Sequence, residues 1–158
     1  MSIEQDYNTL KSNAFTFSLA KIPETIFRVT ACNLPAITIP VPSECVPGIS
    51  QTWSGTYTEY DEITFRFIVD EDLKAYKELF QWITLRRFAD ANKEVSEQEL
   101  YSDGSLITLT NNANTNVIFK FVGMHPVSLG DLSFDTTIDP VPVTCNVTFR
   151  YSHFYPVN

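Results

Sequence analysis

The sequence predicts a mainly antiparallel β-protein, a β-sandwich or barrel against which one α-helix packs. Several segments of the 158 residues alternate apolar and polar side chains with a period of two, which is typical of half-buried strands. Only one segment, within residues 70–87, repeats its apolar residues with the helical period. We therefore expect seven or eight strands, one helix and a single domain over residues 1–158.

The clearest pattern is a strand that leads directly into this helix. Every second residue from Ile63 to Val69 is apolar. Asp70 is the predicted N-cap, and the next two acids would then lie in the first turn, where the helix dipole favours negative charge. Two arginines, Arg86 and Arg87, suit the C-terminal end. The predicted apolar stripe of the helix consists of Leu73, Tyr76, Leu79, Phe80, Trp82 and Ile83.

The rest of the chain is predicted to be strands and loops. Residues 1–13 are polar and unpatterned, so we expect an arm that only a partner orders. Residues 15–19 and 27–31 are predicted to form an antiparallel hairpin. Three prolines within residues 36–54 predict a long projecting loop, because proline cannot donate to a β-ladder. A second surface loop is expected at residues 88–104. Further strands are predicted at residues 105–110, 117–126, 127–135 with a bend at Gly130–Asp131, and 143–155.

Charge and cysteine content narrow the possible functions. A net charge of −8 and an isoelectric point near 4.6 argue against a surface that binds nucleic acid tightly, but leave open a surface that must not bind DNA.

The three cysteines are too few and too widely spaced for a disulfide framework, and we expect Cys32, Cys45 and Cys145 to be small buried apolar residues. The sequence begins without a secretory leader pattern and contains no bilayer-length apolar window, so we expect cytoplasmic synthesis and no membrane insertion.

One predicted strand, residues 49–60, has an unusual hydroxyl-bearing face. Thr52, Ser54, Thr56 and Thr58 alternate with Gln51, Trp53, Gly55 and Tyr57, so one face is small, neutral and hydroxylated. This face is either an ordinary solvated surface or the wall of a channel that passes a molecule without binding it.

Candidates for chemistry are few. His125 and His153 have no second ligand or base at a usable spacing, and the sequence has no glycine-rich phosphate loop. The acidic runs at residues 59–62 and 70–72 have structural explanations, at a strand entrance and at a helix cap. We therefore expect no catalytic residue, no metal site and no cofactor. A glycan-binding platform built on aromatic residues such as Trp53 remains an alternative.

The order of these features resembles one known family. The segments are FTFSLA, FRVTACNLP, the proline-broken loop, GTYTEYDEITFRFIVDED, the helix bearing Tyr76 and Trp82, SDGSLITLTNN, VIFKFVGMHPVSLGDLSFD and VTFRYSHFY. Gly123, Pro126, Leu129 and Phe134 fall within the penultimate segment. In this order the segments resemble the tail-tube proteins of contractile-tailed bacteriophages and the related tube-initiator proteins of their baseplates.

The resemblance implies an assembly rather than an enzyme. In that family six small β-domains form a ring whose strands join into one lumen barrel, and stacked rings form the tube that DNA and the tape-measure protein traverse. It implies a structural virion protein of the phage tail, assembled in the host cytoplasm, that forms hexamers stacking on like rings. An initiator ring at the hub-proximal end of the tube is one alternative, and a monomeric glycan-binding sandwich is another.

The resemblance also assigns surfaces. Thr52, Ser54, Thr56 and Thr58 would face the lumen, past which DNA moves without specific binding. The helix or residues 88–104 would meet the sheath protein, and baseplate hub, initiator or tube proteins would cover the ends of the ring. The loop expected to contact the neighbouring ring contains Pro42, Ser43, Glu44, Val46 and Pro47.

Overall fold

The computed structural model describes residues 9–22, 29–88, 95–137 and 139–157. Eleven strands and two helices lie in these ranges. They are β1 Phe15–Leu19, β2 Val29–Cys32, β3 Ile37–Thr38, β4 Ser43–Val46, β5 Ile49–Thr52, β6 Glu59–Tyr60, β7 Ile63–Ile68, α1 Lys74–Phe88, α2 Glu97–Leu100, β8 Ser102–Leu109, β9 Thr115–Leu129, β10 Thr144–Arg150 and β11 His153–Val157.

Seven of the strands form one antiparallel sheet in the order β1–β8–β9–β10–β7–β2, with β11 also paired to β9. The long strand β9 joins the two halves of this sheet. Its N-terminal part pairs with β8 and β11, and its C-terminal part, from His125 onward, pairs with β10. The mainly antiparallel fold class predicted from the sequence is confirmed.

The sheet curls around one core, so that its two ends meet. Phe17 of β1 packs on Phe65 of β7, with ring centroids 4.1 Å apart, although these strands lie near opposite ends of the strand order. Trp82 of α1 packs on Phe149 of β10 in the same core, with ring centroids 5.9 Å apart. The fully buried side chains are Leu19, Ile63, Phe65, Phe67, Leu79, Phe121, Met124, Cys145, Val147 and Phe149.

Gly123 lies where β9 passes from one half of the sheet to the other. Its φ of 67° is in the left-handed region that favours glycine, and its N–H donates to Asp103 Oδ1 at 3.2 Å. A Cβ at this position would lie 2.9 Å from Ser152 Oγ, in the connection between β10 and β11. The redirection of β9 therefore depends on a residue without a side chain.

Helix α1 begins later than predicted. The N–H of Leu73 donates to the carbonyl oxygen of Asp70 at 2.9 Å, which closes an extra turn between β7 and the helix. Leu73, with φ 54°, then accepts the first helical hydrogen bond from Lys77 N–H. The predicted N-cap at Asp70 is wrong, and Glu71 and Asp72 precede the first turn.

The buried face of α1 also differs in part from the prediction. Ala75, Leu79 and Trp82 are buried, which confirms the last two as core residues, whereas Phe80 is 49% exposed. Successive helical residues are rotated by about 100°, so a face centred on Leu79 turns its neighbour Phe80 toward solvent. Phe80 was therefore wrongly assigned to the apolar stripe.

The predicted hairpin of residues 15–19 with 27–31 is wrong. The first strand, β1, pairs with β8 rather than with the strand that follows it, and β2 pairs with β7.

The predicted loop 88–104 contains the short helix α2 and the start of β8, while its residues 89–94 lie outside the described ranges. At the predicted bend, β9 already ends at Leu129, and its pairing with β10 shifts register between Thr148 and Phe149.

The C-terminal strand completes the aromatic part of the core. Phe154 of β11 stacks on Phe121, with ring centroids 5.2 Å apart. The Tyr151 hydroxyl donates to the carbonyl oxygen of Asp61 at 2.8 Å. Burial, with a smaller contribution from the nearby Asp61 charge, raises the pKa of Tyr151 to about 12.

We predict that Gly123→Ala lowers the free energy of unfolding by about 1–2 kcal/mol, the usual cost of left-handed geometry for a residue with a Cβ. The collision with Ser152 Oγ adds to this cost. Urea unfolding followed by circular dichroism measures both effects. Ser152→Ala alone, at an exposed position, is the near-neutral control.

The double variant Gly123→Ala/Ser152→Ala removes the close oxygen and leaves ordinary contacts, so its stability is expected to lie between those of the control and the single Gly123→Ala variant. A Gly123→Ala protein as stable as the unmodified chain would contradict this role of Gly123.

Candidate assembly interface

A long arm, residues 34–60, leaves the sheet between β2 and β7. At its base β3 pairs with β6, and further out β4 and β5 form a two-stranded hairpin that is separate from the main sheet. Pro47 and Gly48 connect the hairpin strands, and Gly48 has φ 95°. Proline followed by glycine with positive φ is the pairing that a type II turn requires. The sequence therefore predicted a projection here correctly, but not its hairpin.

Apolar side chains of this arm are left in contact with solvent. Ile49 is 66% exposed, Tyr57 59%, Trp53 58% and Val41 56%. Large apolar side chains concentrated on a projecting segment favour burial against another molecule, since each would gain roughly 1.5–3 kcal/mol from full burial. The exposed apolar residues of the arm are Leu34, Ile37, Ile39, Val41, Ile49, Trp53 and Tyr57.

The base of the arm is fixed by a close backbone contact at Gly55. A Cβ at Gly55 would collide with the carbonyl oxygen of Pro40 and would lie 3.1 Å from a methyl carbon of Ile39. Backbone atoms cannot move aside as a flexible side chain can. The two limbs of the arm therefore approach each other here only because residue 55 is glycine.

The predicted hydroxyl residues all lie on the arm but not on one strand face. Thr52 ends β5, while Ser54, Thr56 and Thr58 lie in the segment between β5 and β6, and all four are exposed. The prediction of a continuous strand from 49 to 60 is therefore wrong. A lumen role for these residues remains a prediction.

The residues predicted for ring stacking lie on the hairpin. Ser43, Glu44 and Val46 belong to β4, and Pro47 is the first residue of its turn. Pro42 precedes the hairpin and its carbonyl oxygen accepts a hydrogen bond from Trp53 N–H at 3.3 Å. The structure thus places these residues in the hairpin or directly before it.

Sequence patterns missed a second exposed apolar surface. Phe134 is 75% exposed and Val141 is 64% exposed, and both line a hollow of about 420 Å³ formed by residues 133–136 and 139–144. The proline-rich run DPVPV indicated a connection there, but no sequence periodicity showed which of its side chains face outward. Phe80 on α1 is a further exposed aromatic residue.

Groups able to perform chemistry are scattered over the described ranges. Among these residues no group of three or more His, Cys, Asp or Glu side chains could hold a metal ion. His125 lies edge-on to Tyr101 and His153 stacks on Tyr155. No described helix is long and apolar enough to cross a membrane.

The cysteines have different environments. Cys145 is buried as predicted, and its thiol lies 3.4 Å from the carbonyl oxygen of Gly130. Cys32 is half-buried. Burial raises the pKa of both thiols, which favours the unreactive protonated form. Cys45 lies in β4 of the hairpin.

A hollow of about 540 Å³ lies between α1, α2 and the residues after β1. Lys21 Nζ lies 4.8 Å from the centre of the Trp82 ring and binds the carbonyl oxygen of Glu99. Trp82 Nε1 donates to the carbonyl oxygen of Leu100 at 2.9 Å. Burial lowers the pKa of Lys21. These contacts fasten α2 to α1.

The fold is shared with subunits of contractile injection machines. A chain of the sheath–tube complex of the extracellular contractile injection system PVC, in its extended state, superposes with a TM-score of 0.71 at 16% identity, covering 99% of this chain and 98% of that one. A chain of the tube-terminating cap of the anti-feeding prophage gives a TM-score of 0.69 at 17% identity, covering 99% of both chains. The chain therefore has the same fold as these two chains.

No family model matches the chain. The chain is 25% identical, over 170 aligned positions that cover 97% of it and 92% of the relative, to the tail tube terminator protein of Enterobacteria phage T4. This similarity agrees with the resemblance to the tail-tube proteins of contractile-tailed bacteriophages that the sequence features indicated.

We predict that Gly55→Ala loosens the arm without unfolding the core. The new Cβ would push the two limbs apart at Pro40, so amide hydrogen exchange in residues 37–60 is expected to accelerate. The free energy of unfolding is expected to change by less than about 1 kcal/mol, because the core does not contact this position. Hydrogen-exchange mass spectrometry measures the first effect and urea unfolding the second.

Ser54→Ala, at the adjacent exposed position, is the control and should leave exchange in the arm unchanged. Equal exchange in Gly55→Ala and the unmodified protein would show that the close contact does not hold the arm.

Proposed function

We propose that this chain is a structural subunit of a contractile phage tail and forms a ring of six copies at the tail tube. The observation that carries the proposal is the exposed apolar arm on a subunit of the tube-type fold. A well-packed core together with this unburied apolar surface indicates a protein that completes its burial by association.

The sheet supports association of this kind. Its strand order ends at β1 and β2, and β11 pairs with β9 on one side, so backbone donors and acceptors remain at the edges of the subunit. Neighbouring copies in a closed ring can pair these edges and remove them from solvent. The arm then projects from the ring, where its hairpin, including Pro42, Ser43, Glu44, Val46 and Pro47, contacts the next ring.

The position of the ring along the tube has three candidates. The tail tube terminator of Enterobacteria phage T4 is the sequence relative and covers almost the whole chain, which supports a terminating ring that ends the tube. The PVC sheath–tube complex supports a repeated tube ring by fold alone. A baseplate initiator ring has support of the same kind from the anti-feeding prophage baseplate, at a TM-score of 0.67. We favour the terminator because its support extends to sequence.

The partners follow from this position. Tube rings contact one face of the hexamer, and DNA and the tape-measure protein pass through its centre without sequence-specific binding. The wall of that channel includes the uncharged hydroxyl side chains of Thr52, Ser54, Thr56 and Thr58, which do not bind phosphate strongly. Sheath protein meets the outer surface, where the exposed Phe80 of α1 supplies an apolar contact. The subunit acts by shape and association, with no chemical step.

Electron microscopy of the purified protein, alone and mixed with tube protein, tests this function. We predict six-fold rings for the chain alone, and tubes that stop growing where such a ring is bound. Long tubes formed by the chain alone would assign it to the repeated tube, and binding only to a baseplate hub would assign it to the initiator.

Substitutions locate the surface that binds the tube. We predict that Ile49→Asp lowers ring-to-tube affinity at least tenfold, because it places a charge on an apolar contact at the end of the arm. Phe80→Asp is the matched control, since it makes the same kind of change on α1 and should affect sheath binding only.

A protein that stays monomeric at high concentration, binds no tube protein and binds a glycan through Trp53 would overturn the proposal in favour of a ligand-binding sandwich.

A further inference from the structure

The arm and the hollow around Phe134 lie at opposite ends of β7. The arm ends at residue 60, just before β7 begins at Ile63. The hollow extends to Thr144, the first residue of β10, which pairs with Ile68 at the other end of β7. The six residues of β7 span about 17 Å. In a ring whose copies pair along strand edges, the ends of the strands point to its two faces, so the arm and the hollow lie on opposite faces.

The centre of this second surface is apolar and concave. Phe134 and Val141 expose most of their side chains beside a hollow of about 420 Å³. Protein interfaces bury aromatic and aliphatic side chains of this kind at their centres. We call Phe134, Asp135, Asp139 and Val141, with the hollow that they line, the Phe134 surface.

Hydrogen bonds hold the Phe134 surface to the sheet on both sides. Gly130 N–H donates to the carbonyl oxygen of Asn146 at 2.7 Å, and Val69 N–H donates to that of Val143 at 2.9 Å. Two prolines in residues 139–143 restrict the backbone between these points. A surface that is already ordered loses little conformational freedom when a partner binds.

The border of the Phe134 surface is negatively charged. Residues 121–149 contain three aspartates, at positions 131, 135 and 139, and no Lys or Arg. The Thr137 hydroxyl and N–H donate to Asp135 Oδ1 at 2.6 and 2.8 Å, and these bonds lower the pKa of that carboxyl, which stays ionised at neutral pH. The exposed acidic residues 70–72 lie at the same end of β7, next to Val69.

We propose that the Phe134 surface binds a basic protein on the face of the ring opposite to the arm. Phe134 and Val141 are buried against apolar side chains of this partner, and its Lys or Arg side chains lie opposite the aspartates. The partner is distinct from the tube protein that the arm contacts. Its position on the far face of the ring rests on the proposed function.

Charge separates this partner from two others. The arm of a second copy contains Glu44 and Glu59 but no Lys or Arg, so its charge repels the aspartates of the Phe134 surface. Nucleic acid is repelled for the same reason. A basic protein with an apolar centre complements both the charge and the hollow.

Fluorescence anisotropy of two labelled peptides with the purified full-length protein tests this proposal. One peptide repeats Leu-Lys and the other repeats Leu-Glu, so they differ only in charge. We expect the Leu-Lys peptide to bind at least about tenfold more tightly. Phe134→Ala should weaken its binding by at least about tenfold, because the aromatic anchor is lost. Phe80→Ala, on the exposed side of α1, is the matched control and should leave the affinity unchanged.

A second pair of variants tests the charge. Asp135→Asn/Asp139→Asn should weaken the Leu-Lys peptide by about three- to tenfold and reduce the salt dependence of its binding. Glu59→Gln/Asp61→Asn makes the same change in charge at the arm end of β7 and should retain both.

Photocross-linking in assembled phage tails identifies the partner itself. With a photoreactive phenylalanine derivative in place of Phe134, we expect one product that joins this chain to a basic protein other than the tube protein. A product that joins two copies of this chain, or this chain to the tube protein, would overturn the proposal.

Equal affinity for the two peptides, no binding of either, or equal weakening by Phe134→Ala and Phe80→Ala would also overturn it. Electron microscopy of the same samples separates this inference from the proposed function. Rings whose peptide binding does not depend on Phe134 reject only the Phe134 surface, whereas a monomer that binds the Leu-Lys peptide through Phe134 rejects only the ring.

Discussion

Packing of Phe17 against Phe65 closes the curled sheet on which the rest of the molecule depends. These residues come from β1 and β7, which are near opposite ends of the strand order, and their ring centroids are 4.1 Å apart. Their contact requires β9 to serve both halves of the sheet and Gly123 to redirect it. Once the sheet has closed, the core is full, and the apolar residues of the arm have no place inside the subunit. These residues therefore remain available for contact with a neighbouring molecule.

The two faces created by this closure have different chemistry. The inner face is aromatic and dry, while the outer face of β7 and β10 holds hydroxyls, an amide and two arginines. The arm extends from the same half of the sheet, between β2 and β7. The arm and the outer face of β7 and β10 are therefore separate surfaces, so a substitution in one need not disturb the other.

The parts of the fold that the sequence predicted are those fixed by local burial. Alternation from Ile63 to Phe67 matches the observed burial, and Leu79 and Trp82 are core residues as expected. Pairing failed because it is set by distant segments: β1 finds its partner in β8, which no short-range signal encodes. The helix start failed because Leu73 adopts a left-handed conformation that adds a turn after Asp70.

The candidate site was predicted less completely than the fold. Three prolines indicated a projection, and the structure has one. The alternation of Thr52 to Thr58 indicated a strand over residues 49–60, but the observed strand β5 ends at Thr52. Polar alternation without a buried side carries little information about strand formation. The exposed residues Phe80, Phe134 and Val141 could not be identified, because exposure of an apolar side chain depends on which face the core has already filled.

Native mass spectrometry of the purified protein over a range of concentrations tests the ring most directly. One chain has a mass of 18.0 kDa, so six chains give 6 × 18.0 = 108 kDa. We expect a species of that mass, together with multiples of it as rings stack, and we expect the multiples to be lost when the arm is altered. A species that remains at 18.0 kDa at every concentration, with and without tube protein, would contradict it.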